Sequence, residues 1–405
     1  MSVLMFKIMY SNVYAKILFA KKVLFIVGCL GVLLQLSSCT QRTMEADDGS
    51  SVKVTVGSEN YQERIFYSQL FDSAKYVRLE TGSDCLINKI SKIIFFDNLF
   101  YILDNRQNVL FVFSDAGKFL WKIDKRGNGP GEYRYINDFD LSNNRLYLFD
   151  PYRNVLEYDL SGNFIKNHPI KMFGTSLLVN NESFYVNTCN NPSEQGNYHL
   201  LLMDNYGQTF KNGIPITQKN LIGDCITFQE GTSLFRYRDK IRFFMPFSTD
   251  VFSIEGDSIS VQYRFDFKGK NLPEQYFNDY TRDDFEKSSL SYAHGLNSFW
   301  ENDAYLLFKI SFDDFPWTVL YSKTENKAMY GRFSDDIAFC WPVFQIVNDD
   351  FAIGFRPMNE LYGEYRAKKE DRKNTLVGEI VENSEEDDNP VLFFYFFKKG
   401  NSAAE

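Results

Sequence analysis

The side chains that could carry chemistry are few and scattered along the 405 residues. The chain has three histidines and six cysteines, and it contains no Cys-x-x-Cys, His-Glu-x-x-His, Gly-x-Ser-x-Gly or calcium-loop pattern. Because zinc, hydrolase and calcium sites use those spacings, the sequence gives no support to any of them. His168 precedes Pro169 in a connection, and His199 lies in the apolar stretch Tyr198–Met203, where a core or face position is expected.

Carboxylates are placed more regularly than histidines, and their placement indicates structure. Asp104, Asp150 and Asp204 fall at turn positions, where an aspartate side chain caps its own backbone turn. Two of them belong to a repeat. The stretch Tyr101–Phe119 (YILDNRQNVLFVFSDAGKF) is written again as Tyr147–Phe164 (YLFDPYRNVLEYDLSGNF), with matching residues 46 positions apart and, after one deletion, 45. Repetition at this spacing predicts a propeller or a solenoid.

The repeat predicts an all-β fold, a six-bladed β-propeller of four-stranded antiparallel blades. Aromatic residues make up 17% of the chain, which favours β-structure because flat rings pack well on pleated surfaces. A strand at Tyr76–Leu79 is expected to close the ring by pairing with Val391–Lys398, since closure protects sheet edges. Recurring hairpin turns place the six blades at residues 88–125, 137–170, 175–214, 232–267, 295–333 and from 342 to the C-terminus.

Two insertions interrupt the period, at about residues 268–290 and 364–389. The first is polar and contains Pro273, and a short helix is expected around Glu274–Phe285. The second includes the acidic run Glu382–Asp388, for which a solvated loop is expected rather than a cation site.

Residues 1–38 have the features of a lipoprotein signal peptide. Lysines precede the apolar run Val23–Leu34, and a run of about 12 residues is too short to span a bilayer but fits a signal-peptide core. The four residues that end at Cys39 (LSSC) resemble the bacterial lipobox, which implies acylation of Cys39 and cleavage before it. The alternative is an ordinary secreted protein with an incidental cysteine. We therefore expect a protein of the bacterial cell envelope, lipid-anchored in the outer membrane on its periplasmic side or at the surface.

Residues 39–74 are expected to hold the lipidated cysteine and a flexible tether, before a propeller at residues 75–400. The tether contains Glu45–Asp48 (EADD), either a simple spacer or an acidic signal for display on the outer surface. The signal peptide contains four lysines and no acid, so its removal takes the net charge from −9 to −13. So acidic a chain is not expected to bind nucleic acid, because that affinity depends on Lys and Arg at phosphates. Lipid, not charge, is expected to hold it at the membrane.

Four cysteines, Cys85, Cys189, Cys225 and Cys340, fall within the predicted propeller. An exported compartment permits disulfides, but these residues are scattered without a paired spacing. Buried free thiols are therefore expected.

The stretch Gly127–Tyr133 (GNGPGEY), followed by Ile136–Asp140 and the pattern Tyr147–Asn163, resembles the six-bladed β-propeller lipoproteins of Bacteroidetes. It is also similar to NHL-like propellers, in which a Gly-Pro-Gly stretch precedes an inner strand. The resemblance spans about residues 76–399 and implies the fold and an envelope location, but no activity. A phosphate-binding loop is not expected, because no Lys-Ser/Thr pair follows and the next segment is a strand. Gly and Pro instead suit the crossing from one blade to the next.

Propeller topology brings the residues that precede the inner strands to one rim of the central channel. Pockets with apolar or aromatic walls and a few charged groups are the usual small-molecule sites. No catalytic residue is assigned, and each rim residue taken singly is also explained as loop surface. The candidate ligand-binding residues are Lys89, Tyr133, Arg134, Phe173, Glu230, His294 and Trp341.

Two functions fit these features. The first is a non-enzymatic binding or assembly module that uses the rim, needs no cofactor and has an unknown protein or glycan partner. The second is a metal-dependent lactonase- or lyase-like enzyme with a divalent metal in the channel, for which Glu230 and His294 are the nominated pair. A purely structural role is the third interpretation.

Overall fold

Each sequence repeat folds into one four-stranded antiparallel sheet, and six such sheets form the blades of a β-propeller ring. The computed structural model describes residues 51–399 apart from 152–153, 171, 193–195, 205, 207–208, 218–232, 246, 257, 279–290 and 313–314. The predicted all-β class, with six blades of four antiparallel strands, is confirmed. The predicted signal peptide and Cys39 lie outside the described residues.

Three strands precede the first inner strand: β1 (Val52–Thr55), β2 (Tyr61–Phe66) and β3 (Phe71–Arg78). Blade 1 contains β4–β7 (Lys92–Phe96, Leu99–Asp104, Val109–Ser114, Phe119–Ile123), and blade 2 contains β8–β11 (Asp138–Ser142, Arg145–Asp150, Asn154–Asp159, Phe164–Pro169). Blade 3 contains β12–β15 (Ser176–Asn180, Ser183–Asn187, Tyr198–Met203, Thr209–Pro215), and blade 4 contains β16–β19 (Leu234–Tyr237, Lys240–Phe244, Asp250–Glu255, Ser258–Asp266). Blade 5 contains β20–β23 (His294–Glu301, Tyr305–Phe312, Phe315–Ser322, Lys327–Ser334), and blade 6 contains β24–β26 (Val343–Val347, Phe351–Arg356, Val391–Phe397) together with β3.

The first strand of each blade is innermost, and the six inner strands line the central channel. Because the blades are antiparallel, all six inner strands begin on one face of the ring, which we call the entrance face. The turns after the inner strands lie on the opposite, exit face. Three of these turns have consecutive left-handed residues, and in two of them both are Asn or Asp: Asp97 and Asn98 with φ of 51° and 57°, and Asn143 and Asn144 with φ of 50° and 56°. The third contains Asn181 and Glu182, with φ of 48° and 64°. Asn and Asp tolerate this conformation, so they favour two-residue hairpins here.

The ring is closed by an N-terminal strand, as the sequence predicts. Strand β3 pairs antiparallel with β26, in a register that runs from Val391 opposite Arg78 to Phe397 opposite Phe71. The last blade therefore takes its outermost strand from the beginning of the chain.

Strands β1 and β2 lie on the outer edges of two further blades. Strand β1 pairs parallel with β19 of blade 4, and β2 pairs parallel with β23 of blade 5. The expectation of a tether at residues 39–74 is therefore wrong from Val52 onwards, because strand pairing begins there. Residues 39–50 lie outside the described residues. The chain passes around the outside of two blades before it closes the third.

Aromatic side chains fill the space between neighbouring blades. Between blades 4 and 5, the ring centroid of Phe308 lies 4.4 Å from that of Phe265 and 5.6 Å from that of Phe299. All three side chains are buried. Full burial of one such side chain stabilises a fold by about 2 kcal/mol, so these seams are a main source of stability.

The glycine-rich stretch lies in the connection between blades 1 and 2, as expected. Gly131 has a φ of +72°, and a Cβ added there would lie 2.6 Å from the Phe164 ring. The carboxylate of Glu132 accepts a hydrogen bond from the Gly129 N–H at 2.8 Å and occupies the space inside the turn. The Glu132 side chain therefore fills the space that an anionic ligand would need inside this turn.

The second insertion, expected at residues 364–389, is largely helical, which the sequence did not predict. It contains α2 (Met358–Ala367), α3 (Lys369–Arg372) and α4 (Leu376–Glu382). Buried apolar residues at helical spacing, such as Leu361 and Tyr365, pack it onto the core of blade 6. The acidic run after it is largely solvated, although Glu386 pairs with Arg366 and Asp388 with Arg78. In the first insertion, the described part contains one short helix, α1 (Gln275–Asn278).

The cysteines follow the expectation only in part. Cys85 and Cys340 are buried free thiols, as expected. Cys189 is disulfide-bonded, so the expectation of a free thiol is wrong at this position. Cys225 lies outside the described residues.

His199 is a core residue, as its apolar strand indicates. It is 4% exposed, its Nδ1 lies 2.6 Å from the Asn190 Oδ1, and burial lowers its pKa from 6.5 to about 4. His168 is also buried, and its Nε2 lies 2.8 Å from the Glu157 carboxylate. Both histidines therefore belong to the framework of blades 2 and 3.

His199 should make the protein sensitive to acid. The unfolded chain takes up a proton at this imidazole between pH 6.5 and pH 4, whereas the folded chain does not, so stability falls as the pH falls through this window. Between pH 7 and pH 4.5, the free energy of unfolding should drop by about 2–3 kcal/mol more in the wild type than in His199→Gln. Urea denaturation at both pH values measures this, with His294→Gln as control. An equal drop in wild type and His199→Gln would contradict it.

Candidate functional site

The six inner strands surround a cavity of about 370 Å³ in the central channel. Most of its wall is apolar, formed by side chains such as Ile94, Leu141, Phe299 and Ile346. A concave, mostly apolar space with a few charged groups is a common binding site, so the charged groups on this wall decide its chemistry.

The first charged group on the wall is an ion pair between blades 1 and 2. The Lys92 ammonium donates to Asp138 Oδ1 at 2.8 Å and to the Phe139 carbonyl at 2.7 Å. The other carboxylate oxygen of Asp138 accepts the Leu177 N–H of blade 3 at 2.8 Å. Burial raises the pKa of Asp138, against the opposing attraction of Lys92. One carboxylate thus joins three inner strands.

The second charged group spans blades 2, 3 and 4. Arg236 of β16 donates two hydrogen bonds to the Asp140 carboxylate, at 3.0 and 2.7 Å, and a further one to the Val179 carbonyl. Asp140 also accepts the Val179 N–H at 2.6 Å. Two-pronged arginine–carboxylate pairs are strong and directional, so this contact fixes the relative position of three blades.

The third charged group lies at the exit end of β20. The Glu301 carboxylate is fully buried and accepts hydrogen bonds from Arg242 at 2.7 Å, Lys323 at 2.9 Å and the Tyr263 hydroxyl at 2.6 Å. Burial, followed by the charge of Glu301, raises the pKa of Tyr263 far above its usual value. Each of the three acids on or beside the wall is therefore held by a basic side chain.

The capping role expected for the repeated aspartates is confirmed. Asp104 Oδ1 accepts the N–H groups of Arg106 and Gln107, both at 3.0 Å, and its Oδ2 accepts the N–H of Lys89 at 3.0 Å. Asp150 accepts the N–H of Arg134 at 3.0 Å in the same way. Both carboxylates are buried and position the loops of the entrance face.

Among the predicted rim residues, Lys89 and Arg134 are exposed on the entrance face. Tyr133 is not accessible, so its assignment as a ligand-binding residue is wrong. Its hydroxyl donates to the Asn108 carbonyl at 2.8 Å and accepts the Lys125 N–H at 3.1 Å, and burial raises its pKa to about 12. Within the glycine-rich connection, the Tyr133 ring packs into the core between blades 1 and 2.

The other rim residues are only partly accessible. Phe173, His294 and Trp341 are half-buried, and Glu230 lies outside the described residues. His294 Nδ1 lies 2.8 Å from the Tyr292 carbonyl. The guanidinium of Arg372, from the helical insertion, lies 5.0 Å from the centre of the Trp341 ring. The helices thus cover part of the entrance face at blade 6.

The sequence did not single out the charged wall residues or the exposed residues next to Lys89 and Arg134. The missed wall residues are Lys92, Asp138, Asp140, Arg236 and Glu301. The only available signal was the pair of acids two positions apart in the inner strand of blade 2. In the part of the chain that the structure describes, no group of three or more His, Cys, Asp or Glu side chains is placed to hold a metal ion.

Fold and channel together define a closed six-bladed β-propeller with an apolar channel braced by ion pairs. Residues 51–396 match the family described as a domain of unknown function, DUF4934, and the chain belongs to that family. No curated protein is significantly similar to the chain in sequence. No described helix combines the length and apolar character that crossing a membrane requires.

Two solved structures from Bacteroides are similar to the chain to different degrees. A Bacteroides fragilis protein assigned as exported is similar with a TM-score of 0.70 and 18% sequence identity, over 86% of this chain and 100% of that chain. A DUF4221-family member from Bacteroides vulgatus reaches a TM-score of 0.48 and 8% identity, over 81% of this chain and 97% of that chain. At 18% identity, the similarity to the Bacteroides fragilis protein shows a shared fold and nothing about function.

The pair of Arg236 and Asp140 should be a major stabilising contact. Arg236→Met leaves a buried carboxylate without its cation, which costs 3–5 kcal/mol in buried pairs. Since the Arg236 side chain is 34% exposed, we expect about 3 kcal/mol. Lys118→Met, which breaks an exposed 4.0 Å contact with Glu80, should cost less than about 1 kcal/mol. Chemical denaturation compares the two, and equal losses would contradict the bracing role.

Proposed function

We propose that the protein is an exported, lipid-anchored binding module that uses the entrance face of its propeller and catalyses no reaction. The observation that carries the proposal is the distribution of charge. The acids and bases of the channel wall are bound to one another and brace the blades, whereas Lys89, Arg134 and their basic neighbours are exposed on the entrance face. Basic side chains that a partner could bind are therefore exposed at this face.

The anchoring part of the proposal rests on the N-terminal sequence. Cys39 ends a lipobox-like stretch behind an apolar signal core, and the structure has strand pairing from Val52 onwards. The Bacteroides fragilis protein of similar fold is assigned as exported, which supports an envelope location. Several acyl chains on one cysteine give stable membrane attachment. A partner at the envelope, protein or glycan, would then meet a propeller held close to the membrane.

Lipid attachment is tested by metabolic labelling with a fatty-acid probe in a bacterium that processes lipoproteins. The wild type should incorporate the label and sediment with membranes, because acylation supplies the anchor. Cys39→Ser should remove both properties, and Cys29→Ser, a change inside the signal core, should keep them. Labelling that persists in Cys39→Ser would contradict the assignment.

Binding through the entrance face is tested by photo-crosslinking in cells. A photoreactive amino acid placed at Tyr135 or Trp341 should give discrete crosslinked species, because these side chains lie on the proposed surface. The same amino acid at Lys118 or Lys327, in exit-face turns, should give none. Crosslinks of equal yield from both faces would contradict the proposal. So would a stoichiometric divalent metal that is lost in His294→Ala, since that result supports the metal-dependent enzyme.

A further inference from the structure

Four exposed basic side chains cluster where blades 1 and 2 meet on the entrance face. They are Lys89, Arg106, Arg126 and Arg134, and beside them Leu86 and Tyr135 are 45% and 41% exposed. We call these six residues the seam patch. A basic, partly apolar surface of this kind is unusual on a chain with a net charge of −9.

The blade 1 half of the patch is held together by a buried acid. The Asp104 carboxylate accepts the backbone N–H groups of both Lys89 and Arg106 at 3.0 Å, so these two residues flank one side chain. Gln107 donates to the Leu86 carbonyl at 2.8 Å. Three loop positions are thereby fixed next to one another by bonds that leave their side chains free.

The blade 2 half is joined to the first through Asn108. Its carbonyl accepts the Tyr133 hydroxyl at 2.8 Å, and its side-chain oxygen accepts the Ile136 N–H at 3.0 Å. Arg126 forms a parallel β-bridge with Tyr133, which places it beside Arg134. The four basic residues therefore lie on three neighbouring loops that are bonded to one another.

The acids of this region form no ion pair with the patch, although Asp124 and Glu132 are exposed beside it. Asp104 and Asp150 are buried and accept backbone N–H groups, and the Glu132 carboxylate accepts the Gly129 N–H. Arg134 Nε donates to the side-chain oxygen of Asn128 at 3.0 Å. Because the amide of Asn128 is uncharged, this bond leaves the charge of Arg134 in place. Within the described ranges, no carboxylate forms an ion pair with any of the four basic side chains.

We propose that the seam patch binds an acidic segment of a partner protein, an inference that rests on the proposed binding function and names its ligand class. Guanidinium groups bind carboxylates with two parallel hydrogen bonds. Tyr and Arg are enriched at the centres of protein interfaces, and the exposed Leu86 offers an apolar contact that suits a peptide side chain better than a sugar hydroxyl. Positive charge on an otherwise acidic protein also steers an acidic partner to this one face.

The test measures binding of a short fluorescein-labelled peptide of Glu-Leu-Asp-Glu repeats to the full chain by fluorescence anisotropy. The wild type should bind it, and it should bind more weakly as ionic strength rises, because exposed charges are screened. The uncharged peptide of Gln-Leu-Asn-Gln repeats should bind at least about tenfold more weakly, a difference of about 1.4 kcal/mol. Arg106→Glu with Arg134→Glu should lower the affinity for the acidic peptide at least about tenfold as well.

Two further variants control for charge and fold. Lys118→Glu with Lys327→Glu makes the same change of charge on the exit face and should leave affinity within about twofold. Arg106→Lys with Arg134→Lys keeps the charge but loses the two-pronged bonds, and should lie between the wild type and the charge reversal. The entrance-face variants should keep the wild-type unfolding transition, since the backbone N–H groups of Arg106 and Arg134, not their side chains, bond the buried Asp104 and Asp150.

Three results would overturn the acidic-segment proposal. They are equal affinity for the charged and uncharged peptides, equal loss in the entrance-face and exit-face reversals, and binding of an oligogalacturonate in place of the peptide. If the Tyr135 position still gives crosslinks in cells, the binding module stands and only its ligand class is wrong. If those crosslinks are absent too, both proposals fail.

Discussion

Closure of the ring by β3 is the constraint on which the rest of the structure depends. The strand supplies the outer edge of blade 6, so residues from the two ends of the propeller share one sheet. Pairing with β3 covers an edge of β26 that would otherwise be open. The hydroxyl of Tyr395, on β26, donates to the buried Asp335 carboxylate at 2.6 Å, and the same carboxylate accepts the Cys340 N–H at 2.8 Å. The entrance loop of blade 6 is therefore bonded to β26, the strand with which β3 pairs.

Inside the closed ring, carboxylates join blades that hydrogen-bonded strands do not connect. Asp138 and Asp140 both lie in the inner strand of blade 2, and together they reach blades 1, 3 and 4. Buried acids are costly unless they are paired, so each has a basic partner. The partners of the buried aspartates also explain why basic side chains are exposed on the entrance face. Where aspartates such as Asp104 bind backbone N–H groups, the basic side chains on the same loops remain available to a partner.

The sequence predicts the blades well because hairpin formation is local. The strands of blades 1 and 2 lie within the predicted ranges, residues 88–125 and 137–170, since turn residues and alternating apolar residues define them within a few positions. The site is harder to predict because its contacts are distant: Lys92 meets Asp138 46 positions away, and Arg236 meets Asp140 96 positions away. Tyr133 shows the same limit, because its hydroxyl donates to the Asn108 carbonyl of blade 1, 25 positions away. The sequence did not predict the helices after β25, because their many charged residues made the apolar positions that are buried, such as Leu361, hard to recognise.

Hydrogen–deuterium exchange of the full chain with and without the acidic peptide tests whether the protein binds a ligand through its entrance face. It shows where the ligand acts without any substitution. We expect slower exchange in the loops of the seam patch, at residues 86–89, 104–108 and 126–135. Exchange in exit-face turns such as Asp97–Asn98 should not change. Slower exchange confined to the exit face or to the outer strands would contradict a binding module that works through its entrance face.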